Sequence, residues 1–198
     1  MNKFSEDKGI KTAKEYRHPI DNIFYSIIKI ISPKLNSITS SSLIPNIITF
    51  TSLIFSLISL YLFYKNKYLL LSSSLLIFGY FLDCWDGYYA RKYNMVSKFG
   101  DYFDHISDLS KFILFIFILY NKKKNNKYFF KYITLIIIIC ISSIIQLGCE
   151  EKLYNSSSES YTLQFTKLFC RDSNIIKFTK YFGTASLFLL LAVIINIY

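Results

Sequence analysis

The sequence has no CxxC pair, and its only histidines are His18 and His105, so no zinc-binding pattern can be drawn from it. Acidic residues are few beside basic ones, 13 Asp and Glu against 23 Lys and Arg, for a formal net charge of +10. No basic-aromatic stripe or nucleic-acid motif accompanies that excess, so nucleic acid is not an expected partner. The polar opening MNKFSEDKGIKTAKEYRHP lacks the apolar core of a cleaved signal peptide, and insertion is expected to rest on the first span itself. Of the four cysteines, Cys84 and Cys140 fall in apolar helix as packing residues. Cys149 and Cys170 flank one polar loop and pair only in an oxidising compartment; reduced thiols are expected.

What the chain has in abundance is apolar surface: 53% of residues are hydrophobic and 19% aromatic. These residues gather into runs of roughly 18 to 25, the length that crosses a bilayer as helix. Spans are expected at about 46–64, 68–90, 99–120, 128–148 and 178–198, with a sixth considered within 159–177. The fold class is therefore all-α, a polytopic membrane helix bundle of five to six spans. In IDNIFYSIIKIIS the residues Ile20, Ile23, Phe24, Ile27, Ile28 and Ile31 share a face opposite Asp21, Asn22, Ser26 and Lys29. That pattern predicts an amphipathic helix lying on the membrane, the alternative being a helix packed against the spans. The expected division is a flexible 1–18, an interfacial helix over 19–33 and a membrane-embedded domain over 44–198.

Lys and Arg collect at span ends, as the positive-inside bias and anionic lipid head groups favour. Lys3, Lys8, Lys11, Lys14, Arg17, Lys29 and Lys34 precede the first span, and Arg91, Lys92 and Lys98 follow the second on the same side. That side is expected to face the cytoplasm, although NKKKNNK at 121–127 argues for the other.

Four aspartates interrupt the apolar pattern in DCWDGYYARKYNMVSKFGDYFDHISD: Asp83, Asp86, Asp104 and Asp108. An ionisable group inside a span is costly and marks a functional site by default. Asp83, Asp86, Gly87 and Ala90 share one face of the second span, and Gly100, Asp104 and Asp108 step by four along the third. Two antiparallel helices thus aim four carboxylates at one volume. Such a cluster cannot ionise in a low dielectric without cations, and hard oxygen donors select Mg²⁺, Mn²⁺ or Ca²⁺. Arg91 is taken as the nearest basic residue, too few cations lying at matching depth to pair the aspartates off; it either complements a phosphate or snorkels to lipid heads.

These residues fit Dxx-DG-xx-AR, eight residues, G-xxx-D-xxx-D, the signature of the CDP-alcohol phosphotransferase (CDP-alcohol phosphatidyltransferase) family. PNIIT, with Pro45, Asn46 and Thr49, also resembles that family's PNxxT at the start of its first span. The resemblance covers about residues 15–120. It implies an integral membrane enzyme of phospholipid biosynthesis, cytoplasm-facing and often a homodimer. Such enzymes move a substituted phosphate from a CDP-linked donor to the hydroxyl of an alcohol or lipid acceptor, with release of CMP. By position, Asp83, Asp86 and Asp104 would hold Mg²⁺ or Mn²⁺, and Asp108 would be the general base. Asn46, Thr49, Gly87, Ala90, Arg91 and Gly100 would contact the CDP part. Asp101 faces away from the Gly100–Asp104 stripe and is not assigned to the metal.

YRHPIDNIFYS and the Asp104–His105 pair resemble choline/ethanolamine-type members, which use diacylglycerol as acceptor. SKFG and the short chain instead suit members that take CDP-diacylglycerol as donor. His105 either reads the acceptor or bonds a neighbouring span, and Glu150 and Glu151 either pair a cationic alcohol or sit in a solvated loop. A cation carrier or channel lined by the aspartates is the alternative of another class.

Overall fold

The computed structural model describes residues 7–122, 128–154, 160–172 and 175–198, which hold helices and turns and no β-strand. The helices are α1 (Pro19–Ile38), α2 (Ile44–Tyr64), α3 (Leu69–Lys92), α4 (Lys98–Lys122), α5 (Phe129–Tyr154), α6 (Ile176–Thr179) and α7 (Thr184–Ile197). Among the described residues, four stretches are long and apolar enough to cross a membrane: α2, α3, α5 and the run Ile176–Ile197 that contains α6 and α7. This is fewer than the five to six spans expected. The helix α4 is as long, but Asp101, Asp104 and Asp108 crowd its first half and Lys111 follows at its middle. Where a sixth span was considered, the described residues 160–172 make turns and a short 3-10 helix, Gln164–Phe169. The protein is an integral membrane protein by this composition, and its outer surface carries exposed Leu70, Phe117, Ile137, Ile141 and Val193, as a lipid-facing surface requires.

Asparagines close two of the turns. Asn66 ends α2 and Asn94 ends α3, each with a φ of 56°, a left-handed conformation that asparagine tolerates better than other residues with a Cβ. In both, the following N–H reaches back five residues, Lys67 N–H to Leu62 O and Met95 N–H to Ala90 O at 2.7 Å. This is the Schellman closure. At the second turn it fixes the end of α3 that carries Ala90 and Arg91.

Small residues set how closely α2 and α3 approach. Ser52, Ser56, Ser59 and Ser72 are fully buried between them. Ser52 Oγ donates to Gly79 O at 2.9 Å, and Ser59 and Ser72 exchange bonds to each other's carbonyls. A Cβ on Gly79 would lie 2.4 Å from Ser56 Oγ. Small residues with hydroxyls bonding across the seam are how membrane helices pack without a hydrophobic drive between them. Deeper in the bundle, Phe63 stacks on Phe115 and Tyr80 on Phe188, tying α2, α3, α4 and α7 into one core.

The helix α1 runs to Ile38, beyond the expected end at 33. Pro33 lies on its exposed side, so the lost N–H leaves no buried group unpaired. Its polar side chains face α3: Tyr80, Trp85 and Tyr89 donate to Asp21, Ser32 and Asn36. Ile23, Ile27 and Ile30 are left exposed.

Residues 7–18, expected to be loose, are tied down, while 1–6 lie outside the described residues. Ile10, Thr12 and Tyr16 are buried. Asp7 pairs with Lys29 and Lys92, Lys11 pairs with Glu151, Arg91 Nε donates to Gly9 O and Lys180 donates to Glu15 O. The segment is thus a strap joining α1, α3, α5 and the turn before α7. Burial alone would push the Asp7 carboxyl up, but Lys92, the Gly9 N–H and Tyr88 together hold it below the ordinary value.

Reduced thiols were expected throughout, but Cys149 and Cys170 are joined in a disulfide. Gly148 packs on the Thr166 backbone there, where a Cβ would meet Thr166 O at 2.1 Å, and this close approach brings the two sulfurs together. Cys84 and Cys140 are free and half-buried, as packing residues would be.

Candidate active site

The polar ends of α3 and α4, the start of α2, the strap and the end of α5 enclose a cavity of about 250 Å³. Asp83, Asp86, Asp104 and Asp108 line it, together with Asn46, Thr49, Gly87, Ala90, Arg91 and Gly100. The sequence-predicted residues therefore share one cavity. Oxygens of Asp83, Asp104 and Asp108 lie within 4.8 Å of one another. Asp86 stands beside this trio but is differently held: its Oδ2 accepts from Thr49 Oγ1 at 2.5 Å, with both residues buried. Thr49, expected to contact the CDP part, here orients a carboxylate.

A divalent cation fits this donor set. Asp104 Oδ1 is buried with no hydrogen-bond partner, and carboxylate oxygens are the hard donors that Mg²⁺ and Mn²⁺ prefer.

The glycines act by making room. A Cβ at Gly87 would sit 3.0 Å from the Arg91 guanidinium, and one at Gly100 would sit 2.9 Å from Asn46 Oδ1. Arg91 therefore lies along the cavity, anchored by Gly9 O, and does not snorkel outward.

Sequence reasoning missed Lys111. The expectation was that too few cations lie at matching depth; Lys111 lies there, 4% exposed, with Nζ 3.3 Å from Asp83 Oδ1 and 2.5 Å from Asp108 Oδ1. The available signal was spacing, three residues beyond Asp108 and seven beyond Asp104 on the same helical face. Lys111 supplies one positive charge beside four carboxylates.

His105 and Asp101 serve the polar segment after α5. Asp101 accepts from Ser160 Oγ at 2.6 Å and from Thr162 N–H at 2.8 Å, and His105 Nδ1 lies 2.9 Å from Thr162 Oγ1. His105 thus touches this segment, and Asp101 lines the same cavity but lies outside the carboxylate trio. The segment is also held by the Cys149–Cys170 bond and by Lys152 Nζ on Cys170 O. Glu150 lines the cavity, whereas Glu151 is buried against Lys11. Neither glutamate sits in a solvated loop; both belong to the last two turns of α5.

The model of the CDP-alcohol phosphatidyltransferase family matches residues 42–196, and the chain belongs to that family. Among curated proteins it is similar to the CDP-diacylglycerol–glycerol-3-phosphate 3-phosphatidyltransferase of Rickettsia typhi, 39% identical over 67 residues, 33% of this chain and 38% of the relative. The Rickettsia felis protein of the same name is 35% identical over 85 residues, 42% of this chain and 46% of the relative. The match spans less than half the length of these relatives. No solved structure matches the chain.

Proposed function

We propose that the protein is a divalent-metal-dependent phosphotransferase of phospholipid biosynthesis. It moves a substituted phosphate from a CDP-linked donor to an alcohol hydroxyl and releases CMP. The observation that carries this reading is the meeting of Asp83, Asp104 and Asp108 oxygens within 4.8 Å, inside the cavity that Asn46, Gly87, Arg91 and Gly100 also line. Asp83, Asp86 and Asp104 would hold Mg²⁺ or Mn²⁺, which when bound neutralises the diphosphate and the leaving CMP oxygen. Asp108, one helical turn away, takes the proton of the acceptor hydroxyl as its oxygen bonds to phosphorus and the bond to the CMP oxygen breaks. Arg91, Asn46 and Gly100 would form the wall for the CDP part, and Thr49, by its bond to Asp86, would fix that carboxylate for metal binding.

CDP-diacylglycerol is the proposed donor, supported by the names of the Rickettsia relatives. A small anionic alcohol is the proposed acceptor, since Lys11, Arg91 and Lys180 line the cavity. A second reading, CDP-choline or CDP-ethanolamine with diacylglycerol, is favoured by Glu150, which also lines it. Purified protein offered each donor with a panel of acceptors separates them by CMP release. Activity only with diacylglycerol as acceptor would remove the first reading, and ion flux without CMP would remove both.

The proposed orientation puts the aspartate face in the cytoplasm, supported by the basic residues of the strap, α1 and the α3–α4 turn. On that side cellular thiol buffers oppose the Cys149–Cys170 bond. Labelling of intact cells with an impermeant maleimide after reduction should spare both cysteines; labelling would invert the topology.

A further inference from the structure

We infer that the segment from Ser160 to Cys170 is seated in the headgroup layer of the bilayer, with anionic lipid as its partner, and forms a membrane-held wall of the cavity. The inference rests on the membrane class of the chain and not on the transfer reading. The depth of the segment follows from what it packs on. The apolar run of α5 ends at Gly148 and gives way to CEEKLY, so residues at that level lie where hydrocarbon meets water. The segment is fastened there: Thr166 lies against Gly148, Cys170 is joined to Cys149, and Cys170 O accepts from Lys152 Nζ. It faces two ways. Inward, Ser160 and Leu163 line the cavity, and Ser160 and Thr162 bond Asp101. Outward, Phe165, Leu168 and Phe169 are exposed, Leu168 at 83%. Residues three apart eclipse in a 3-10 helix, so Phe165 and Leu168 form one ridge along Gln164–Phe169.

The start of the last span continues this surface. Cys170 and Ile176 share one buried cluster, and Phe178, Tyr181 and Phe182 just beyond are exposed. Aromatic side chains at span ends belong at the headgroup level. The charge is of one sign: residues 160–182 carry Lys167, Arg171, Lys177 and Lys180 against Asp172. Arg171 and Lys177 are exposed, and Lys98 at the start of α4 lies over the Tyr161 ring, 5.3 Å from its centre. An apolar ridge among basic residues is the composition of an interfacial anchor on anionic lipid. A second copy of the chain fits this face worse. A two-fold contact sets the same patch against itself, which would bring these like charges together.

The test uses the full chain, one copy per nanodisc, with a fluorescent probe introduced as Leu168→Trp or Phe165→Trp. Both positions are exposed, and the emission of Trp85, the single native tryptophan, is subtracted. Bromine on lipid acyl chains near the headgroups should quench both probes more than bromine near the bilayer centre. Carried on phosphatidylglycerol, it should quench at least about twofold more than the same fraction carried on phosphatidylcholine. Arg171→Gln combined with Lys177→Gln should remove that preference. No quenching at either depth, stronger quenching at the centre, equal quenching by the two lipids, or a preference kept by the double variant would overturn the inference. Quenching that disappears in discs loaded with two copies would assign the face to a second copy and overturn it as well.

Discussion

Asp21 carries a pH dependence that can be worked through. It sits on the face of α1 turned toward α3, where Tyr80 OH donates to its Oδ1 at 2.7 Å. Burial pushes its carboxyl from the ordinary 3.8 up to about 7, and Glu150 adds to the rise, while Tyr80 and Arg17 oppose it. The folded protein therefore keeps a proton between about pH 4 and pH 7 that the unfolded chain has lost. Where the native state binds more protons, stability falls as pH rises. The loss starts above the unfolded value and is complete once pH passes about 7. A rise from 3.8 to about 7 corresponds to about 4 kcal/mol, an upper bound because water and detergent relax the site. Asp21→Asn keeps an oxygen for Tyr80 and cannot ionise. Thermal unfolding in detergent should find the variant and the wild type alike near pH 3.5, below the unfolded value, with the variant more stable at pH 8. Parallel curves at both pH values, or a variant weaker at pH 8, would refute the argument.

Gly79→Val should destabilise by about 1–3 kcal/mol through overpacking, since even its Cβ would lie 2.4 Å from Ser56 Oγ. Because α2 carries Thr49 and α3 carries Asp86, transfer activity should fall with it; an unchanged melting temperature would count against the serine seam. Asp101→Ala should release the 160–163 segment, raising KM for the acceptor more than it lowers kcat. Asp101→Asn should restore part of the loss, because one amide oxygen can still accept from Thr162 N–H; equal effects on KM and kcat would argue for damage to the carboxylate trio instead.

The parts of this protein that could be read from sequence are those governed by local rules. Span lengths follow from bilayer thickness. The aspartates were visible because charge in an apolar run is costly and because helical spacing puts residues four apart on one face. What escaped was long-range pairing. Asp7 with Lys92 and Lys11 with Glu151 join residues far apart in sequence, so the strap reads locally as a polar tail. Lys111 read as part of an apolar helix until α3 was placed opposite it. The bond from Thr49 to Asp86 was invisible because the two residues lie on different helices. The helix expected over 19–33 runs on to Ile38 because the missing N–H of Pro33 lies on the exposed side, which nothing local shows.

The central claim is that these aspartates serve metal-dependent transfer from a CDP-linked donor. Its most direct measurement is CMP release from CDP-diacylglycerol by the purified chain, titrated with Mg²⁺ or Mn²⁺, beside Asp83→Asn, Asp104→Asn and Asp108→Asn. The account predicts release by the wild type only with metal, with chelator abolishing it. It further predicts loss of at least about a hundredfold in each variant, the scale of a general base, with metal binding weakened in Asp83→Asn and Asp104→Asn and retained in Asp108→Asn. Metal-independent release, or near wild-type release by Asp108→Asn, would contradict it.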